Sequence, residues 1–105
     1  MITVYADRAK DRCRLFVCGH AERGAEKDIV CAAVSALTSA LVLQATGGAT
    51  CRHVRYRMAS GEVFLSCRGM GDGFETVMAG LTAIAERYPR HVCIQSAVDD
   101  KTKEV

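Results

Sequence analysis

Short runs in which apolar and polar residues alternate occur along the sequence, and they predict β-strands. Two such runs, Ile2–Ala6 and Arg14–Cys18, are separated by the polar stretch DRAKDR and predict a first hairpin. Residues Cys51–Met58 and Glu62–Cys67, joined by the turn ASG, predict a second hairpin with one polar face and an apolar face directed inward. The segment HVCIQSAV, residues 91–98, predicts a last strand.

Two longer segments between these runs are predicted to be helices. The first is expected from Ile29 to Thr46, with Asp28 as its N-cap and Gly47–Gly48 as its stop. The second follows the glycine-rich stretch GMGDGF and ends before Pro89. Its apolar residues recur at helical spacing: Phe74, Val77, Met78, Leu81, Ile84 and Ala85. The expected fold is therefore α+β, with the order ββαββαβ, antiparallel sheet packed with two helices, and a frayed tail over residues 99–105.

Length and composition predict a single domain over residues 1–105, because half of the residues are hydrophobic and a quarter are charged. A net charge of +2 and a pI of about 8.3 do not by themselves indicate nucleic-acid binding. No basic stretch followed by an apolar run is evident at the N-terminus, so the expected location is the cytoplasm. The longest apolar segment, residues 29–45, is interrupted by polar residues and predicts a buried helix rather than a membrane span.

The first predicted helix is apolar almost all round, and it leaves no wide polar stripe. Such a helix needs cover on several sides, from the sheet, from the second helix or from another protomer. We therefore expect a homodimer that shields part of one of the two helices.

Six cysteines in a cytosolic chain are expected to be reduced, with most of them in the core and one of them reactive. Cys31 stands three residues past the expected N-cap, where free N–H groups and the helix dipole stabilise a thiolate and hold an oxyanion. His20 lies in the loop Gly19–Lys27, which has glycines at 19 and 24 and no evident hydrophobic anchor, so we expect the loop to be mobile and able to bring the imidazole to the thiol. Asp28 either orients His20 or caps the helix, and Ser35 shares a helix face with Cys31.

Spacing alone leaves other interpretations open, since a helical cysteine is commonly an inert core residue and a loop histidine is commonly solvated. A second interpretation is a zinc site formed by Cys13, Cys18, His20 and Cys31. It is disfavoured because the sequence contains no CxxC pair. The stripe His53, Arg55, Arg57 faces either RNA phosphates or solvent, and solvent is favoured because no aromatic residue is interleaved with it. The stretch GMGDG lacks the Lys-Ser/Thr of a phosphate-binding loop and predicts a turn.

The sequence resembles the ribosomal-processing cysteine protease (Prp) family across essentially its whole length. The resemblance rests on GHA at Gly19–Ala21, on Gly24, on DIVCAAVSAL at Asp28–Leu37 and on GLTAIAERYPRHV at Gly80–Val92. It implies that His20 and Cys31 are the catalytic pair, that Asp28 and Ser35 support them, and that the protein is a homodimer. Family members remove the N-terminal extension of a large-subunit ribosomal protein, the twenty-seventh in the series.

The resulting hypothesis is a cysteine endopeptidase in which Cys31 attacks the peptide bond and His20 transfers the proton. Neither a metal nor an organic cofactor is expected, and the implied substrate is a ribosomal protein precursor, with no membrane and no direct nucleic-acid partner. The alternative hypothesis is a non-catalytic ribosome-associated or RNA-binding module that uses the basic sheet face around Arg55 and Arg57.

Overall fold

The computed structural model describes residues 1–22, 24–48 and 50–96. Its elements follow in the predicted order: β1 Ile2–Ala9, β2 Arg12–Cys18, α1 Lys27–Gly47, β3 Arg52–Ala59, β4 Glu62–Arg68, α2 Asp72–Arg87 and β5 Val92–Ser96. The predicted α+β class and the order ββαββαβ are confirmed. The last two residues of the predicted final strand and the tail over residues 99–105 lie outside the described residues.

The five strands form one sheet with the order β3-β4-β2-β1-β5. Neighbouring strands are antiparallel except for β5, which pairs in parallel with β1, so the sheet is mixed rather than wholly antiparallel. The reason is the connection through α2. That helix carries the chain from β4 across the sheet and back to the end where β4 began, which is the crossover that parallel strands require.

The core lies between one face of the sheet and the two helices. Alternate residues of β1 and β2 are buried, as expected for strands that are covered on a single face. The register places Leu15 of β2 opposite Leu65 of β4, and both side chains are buried with Leu41 of α1 and Leu81 of α2. The molecule measures 39 × 36 × 18 Å, and its small third dimension fits two layers, one of helices and one of sheet.

The first hairpin is longer than predicted, because pairing continues through the polar residues to a turn at Lys10 and Asp11. Lys10 has a φ of 56°, in the left-handed region that tight turns use. Asp11 accepts hydrogen bonds of 2.6 Å from both Arg52 and Arg68. The hydrogen bond from Arg68 is the main cause that lowers the pKa of the Asp11 carboxyl, and Arg52 adds to it. Charge pairing therefore ties this turn to β3 and β4.

The predicted inward apolar face of β3 is wrong for most of the strand. Tyr56 is 54% exposed and Met58 is 47% exposed, and only Val54 packs against the core. The reason is position: β3 is an edge strand with few contacts to α1, so its helix-side residues extend beyond the helical layer. A bulge between residues 52 and 55, where His53 has a φ of 54°, further changes the alternation.

Helix α1 has 21 residues and begins before its predicted start, with Glu26 rather than Asp28 at the N-cap position. It buries a stripe of residues: Val30, Val34, Thr38, Leu41, Val42 and Ala45. The Thr38 hydroxyl donates to the Val34 carbonyl at 3.0 Å, which satisfies the one polar group in that stripe. By its length and its mean hydropathy of 1.9 the helix is apolar enough to cross a membrane, a property that it shares with core helices of soluble proteins. Its other side leaves Ile29 and Leu43 exposed.

Candidate active site

A cavity of about 310 Å³ lies beside the first half of α1, at the end of the sheet where β2 finishes. The helix contributes Cys31 and Ser35 to its wall, and the segment Gly19–His20 after β2 contributes a second side. The turn between β3 and β4, Ser60–Gly61, closes a third side. Four of the six predicted site residues therefore line one cavity: Gly19, His20, Cys31 and Ser35.

His20 is positioned by backbone contacts on both sides of it. The Gly19 amide donates to the Gly61 carbonyl at 2.9 Å, and the terminal ammonium of Met1 donates to the His20 carbonyl at 2.8 Å. The imidazole lies against Gly61, where an added methyl group would stand 2.8 Å from His20 Cε1 and closer still to Nε2. The His20 imidazole is thus in direct contact with Gly61, and a side chain at position 61 would displace the imidazole.

The predicted absence of a hydrophobic anchor in the loop is wrong, because Ala21 is only 3% exposed and belongs to the core. Farther along, Glu26 Oε1 lies 3.6 Å from Nε2 of the buried His91. Gly24 has a positive φ, 132°, beside the His91 imidazole. It lies away from the cavity that contains Cys31, in a neighbouring cleft of about 690 Å³ that also includes His91. The loop mobility itself stays a prediction.

The predicted relation of Cys31 to the helix start needs correction. Cys31 is the fifth residue of α1, and the Val30 amide already donates to the Glu26 carbonyl at 2.9 Å. The free N–H groups of the first turn therefore lie before the thiol, and they are not oxyanion donors beside it. Asp28 is exposed in the first turn, makes no side-chain cap and does not line the cavity, so capping is not its role.

Ser35 lies one helical turn after Cys31 and faces the same cavity. The nearby hydroxyl of Thr38 is already committed to the carbonyls of Val34 and Ser35. The Ser35 hydroxyl makes no hydrogen bond with the residues that the structure describes, and neither does the Cys31 thiol or the His20 imidazole. The three side chains share a cavity without being hydrogen-bonded to one another, an arrangement known for catalytic groups before substrate binds.

The cysteines of the core differ sharply from Cys31. Cys13 and Cys67 are each 1% exposed, face each other across β2 and β4, and place their Sγ atoms 3.8 Å apart. Burial raises the pKa of Cys13 to about 12, with the neighbouring Cys67 as the next cause. Burial also raises the pKa of Cys67. Both thiols therefore stay protonated at neutral pH, which leaves them poor nucleophiles.

The zinc interpretation required Cys13 and Cys31 at one centre. Cys13 instead packs against Cys67 in the core, and Cys31 lines the cavity with His20. Over residues 1–22, 24–48 and 50–96 there is no group of three or more His, Cys, Asp or Glu side chains that could hold a metal ion. The geometry therefore favours thiol chemistry at Cys31 over coordination.

Two contributors to the site carry little signal in the sequence. Gly61 supplies the surface under His20, yet the motif ASG indicates only a turn. His91 lies in the PRHV segment, seventy-one residues after His20, and reaches the loop because β5 pairs with β1. Only the sheet topology brings either residue near the loop.

The molecule is a small α+β domain that presents a helix-borne thiol and a loop imidazole to one open cavity, and these are the residue types of a thiol hydrolase. The family model of cysteine protease Prp matches residues 1–93. The chain belongs to that family, so the predicted membership is confirmed.

Solved structures share the fold over 91% of this chain. The ribosomal processing protease Prp of S. aureus in complex with a substrate peptide matches with a TM-score of 0.76 at 22% identity, over 99% of its own chain. The same protease with a covalently linked product peptide gives 0.74 at 24% identity, again over 99% of its chain. SMU.848 from Streptococcus mutans gives 0.66 at 28% identity, over 93% of its chain. No curated protein matches the sequence.

Proposed function

We propose that this protein is a cysteine endopeptidase in which Cys31 is the nucleophile and His20 is the general base. The observation that carries the proposal is the shared cavity: Cys31 is the one cysteine among the described residues that line it, and His20 lines it as well. Membership of a cysteine-protease family supports this assignment. The core thiols of Cys13 and Cys67 have raised pKa values and stay protonated, so the nucleophile is expected to be a different cysteine.

The proposed reaction has two stages. His20 takes the proton of the Cys31 thiol as sulfur attacks the scissile carbonyl, and it then gives that proton to the leaving amine. The acyl group remains on sulfur as a thioester until His20 deprotonates a water molecule that attacks its carbonyl carbon. The carbon–sulfur bond then breaks, the carboxylate product leaves, and His20 returns the proton to the Cys31 sulfur. Both stages pass through an oxyanion, and the uncommitted hydroxyl of Ser35 is placed one turn from the sulfur to donate to it.

We propose that the loop closes during catalysis. The loop is anchored at two places, by the buried Ala21 and by the contact between Glu26 and His91. Gly19 and Gly24, both with positive φ, lie on either side of Ala21. Closing would bring His20 from its place on Gly61 to the thiol. Asp28 does not line the cavity, so we expect it to support His20 only after closure.

Amide hydrogen exchange of the loop tests closure, and it is measured with and without a non-cleavable substrate peptide. We expect faster exchange in the free protein and protection in the complex. Slow exchange in both states would show a rigid loop and contradict closure, whereas the assignment of Cys31 would be unaffected.

The proposed substrate is the N-terminal extension of a ribosomal protein, the twenty-seventh of the large subunit, removed by a cytoplasmic homodimer. Support comes from the S. aureus relative, which is described as a ribosomal processing protease and was crystallised with a substrate peptide. The cavity suits a peptide, since polar groups from the helix and the loop face apolar walls formed by Val17, Val34 and Val63. The apolar side of α1, with Leu43 exposed, supports the dimer.

The decisive experiment incubates the protein with the ribosomal precursor and determines the masses of the products. We expect one cleavage that removes the N-terminal extension, and no cleavage by the variant Cys31→Ala. Cleavage of unrelated peptides but not of the precursor would leave the endopeptidase standing and overturn the ribosomal substrate. Cleavage by Cys31→Ala would overturn the catalytic assignment instead.

A further inference from the structure

The face of the sheet opposite the helices carries a feature that the protease chemistry does not use. Both helices pack against the face that holds Leu15 and Leu65, so alternate residues of every strand point away from them. This second face, here called the outer face, contains Tyr5, Phe16 and Phe64. None of these three residues belongs to the buried core.

The three aromatic residues form a row across adjacent strands. Tyr5 of β1 is the register partner of Phe16 of β2, and Phe16 is the partner of Phe64 of β4. Register partners share a face of the sheet, and adjacent strands lie about 4.8 Å apart, so the row spans roughly 10 Å. Tyr5 is 43% exposed and stacks on Phe16 with ring centroids 6.0 Å apart. The row continues on one side to Gln95 and on the other to Arg57.

Arginines surround this row. The outer face and its β1–β2 turn hold six of them against three carboxylates: Arg12, Arg14, Arg52, Arg55, Arg57 and Arg68 against Asp7, Asp11 and Glu62. The carboxylates hold several of these side chains in place, as Glu62 holds Arg57 at 3.3 Å. Arg57 is nevertheless 73% exposed, and Arg55 has no ion pair among the described residues. The face therefore has an excess of positive charge beside the aromatic row.

We propose that the outer face binds single-stranded RNA. The row lies on a sheet face that neither helix covers, with Tyr5 exposed and with Phe16 and Phe64 partly exposed. Aromatic rings on adjacent strands provide surfaces on which successive bases stack, and flanking guanidinium groups pair with the phosphates. The excess of arginine selects a polyanion, and the flat row selects unpaired bases over a duplex, whose bases are already stacked. RNA is chosen over DNA because the proposed substrate is a ribosomal protein.

This site is separate from the protease cavity. That cavity is lined from the sheet by Ile2, Val17 and Val63, which belong to the helix side, and by Ala59 and Glu62 at the end of the β3–β4 hairpin, whereas none of the three aromatic residues lines it. RNA on the outer face would leave Cys31 open to a peptide. The choice of RNA rests on the proposed ribosomal substrate, whereas binding of a nucleic acid to the outer face and cleavage at Cys31 are tested separately.

The test is fluorescence anisotropy of a labelled twelve-residue oligouridylate titrated with the full chain at 50 and 200 mM salt. We expect saturable binding that weakens with salt. Tyr5→Ala should weaken it at least about fivefold, since each base stacked on an aromatic ring contributes that much or more. Arg55→Gln should weaken it and reduce the slope of log affinity against log salt by about 1.

Two matched variants serve as controls. Tyr56→Ala removes a somewhat more exposed tyrosine, 54% against 43%, from the opposite side of the sheet. Arg90→Gln removes the same charge beside the loop cleft. Both should bind the oligouridylate like the wild type, and thermal unfolding should show that every variant is folded. Cleavage of the precursor by Tyr5→Ala should be unchanged.

Three results would overturn the proposal. The first is no binding at 50 mM salt, or equal losses in the test and control variants. The second is tighter binding of the corresponding single-stranded DNA, which would contradict the assignment to RNA. The third is a dimer that Tyr5→Ala dissociates and that excludes the oligonucleotide, which would make the outer face a contact between two copies of the chain.

Discussion

Cys31 and the Cys13–Cys67 pair place the same side chain in two different settings. The pair is enclosed between the sheet and the helices, each thiol 1% exposed, and burial raises the pKa of Cys13 to about 12. Cys31 is partly exposed on α1 and lines an open cavity together with an imidazole. Burial penalises the thiolate in the first setting, whereas in the second the thiol and an imidazole face the same open cavity.

The difference teaches that reactivity here is a property of location. Cys13 and Cys67 act as small apolar residues that fill the space between β2 and β4. Cys31 packs only partly against the core because α1 turns this face toward the loop. Each of the following predictions removes or alters one element of that contrast.

The largest effect is expected from Cys31→Ala, which should reduce peptide cleavage by about 10³-fold or more because it removes the nucleophile. Alanine is a good helix former, so the melting temperature should change little. Cys67→Ala is the matched control: it should lower the free energy of unfolding by about 1 to 2 kcal/mol through the cavity that it creates, with turnover retained. The measurements are steady-state kinetics and denaturant unfolding. The opposite pattern would exchange the roles of the two cysteines.

His20→Ala should lower kcat by about 10²- to 10⁴-fold, the range associated with the loss of a general base. The imidazole is exposed and makes no hydrogen bond with the described residues, so stability should hardly change. Kinetics and thermal unfolding of the same sample separate the two effects. A fall in stability with turnover preserved would make His20 a structural residue.

Thiol labelling sharpens the comparison without any mutation. With limiting iodoacetamide at pH 7.5, Cys31 should be modified at least about tenfold faster than Cys13 or Cys67, because alkylation requires an accessible thiolate. Raising the pH to 9 should not label Cys13, since its pKa of about 12 lies well above that value. Peptide mapping by mass spectrometry gives the rates. Rapid labelling of Cys13 in the folded protein would contradict the contrast.

A smaller effect on turnover is expected from a substitution at Gly61, which contacts the His20 imidazole. Gly61→Ala would press a methyl group against His20 and should lower kcat about tenfold by displacing the base. Gly71→Ala is the matched control, because Gly71 has a similar φ of +68° but nothing within 4 Å of an added Cβ. Both variants should lose about 1 to 2 kcal/mol of stability from the positive φ. An equal loss of turnover in both would show that backbone strain, and not His20, is responsible.

The sequence predicted the order of elements because hydrophobic periodicity is a local property. The stop at Gly47–Gly48 and the end of α2 before Pro89 are encoded in a few residues each, and the structure places both within one or two residues. The mixed sheet was not predicted, since the position of β5 depends on where α2 crosses. Tyr56 and Met58 were assigned to the interior because alternation does not show which strand lies at an edge.

The candidate site was predictable in its residue types but not in its geometry. Cys31 and His20 stand in recognisable sequence contexts, and in the structure both line one cavity. The start of α1 was placed two residues too late because Asp28 is a favourable N-cap residue, whereas the observed N-cap, Glu26, makes no side-chain cap. The aromatic row of the outer face was missed because its members come from three strands and meet only through register.

The central claim is that Cys31 forms the covalent intermediate. It is tested most directly by mixing the protein with a peptide that spans the cleavage site, quenching in acid within the first turnover, and mapping the acyl group by mass spectrometry. We expect a thioester on the tryptic peptide that contains Cys31, formed and lost at rates consistent with turnover. An acyl group on any other cysteine, or complete cleavage with no acylated cysteine at any time, would contradict it.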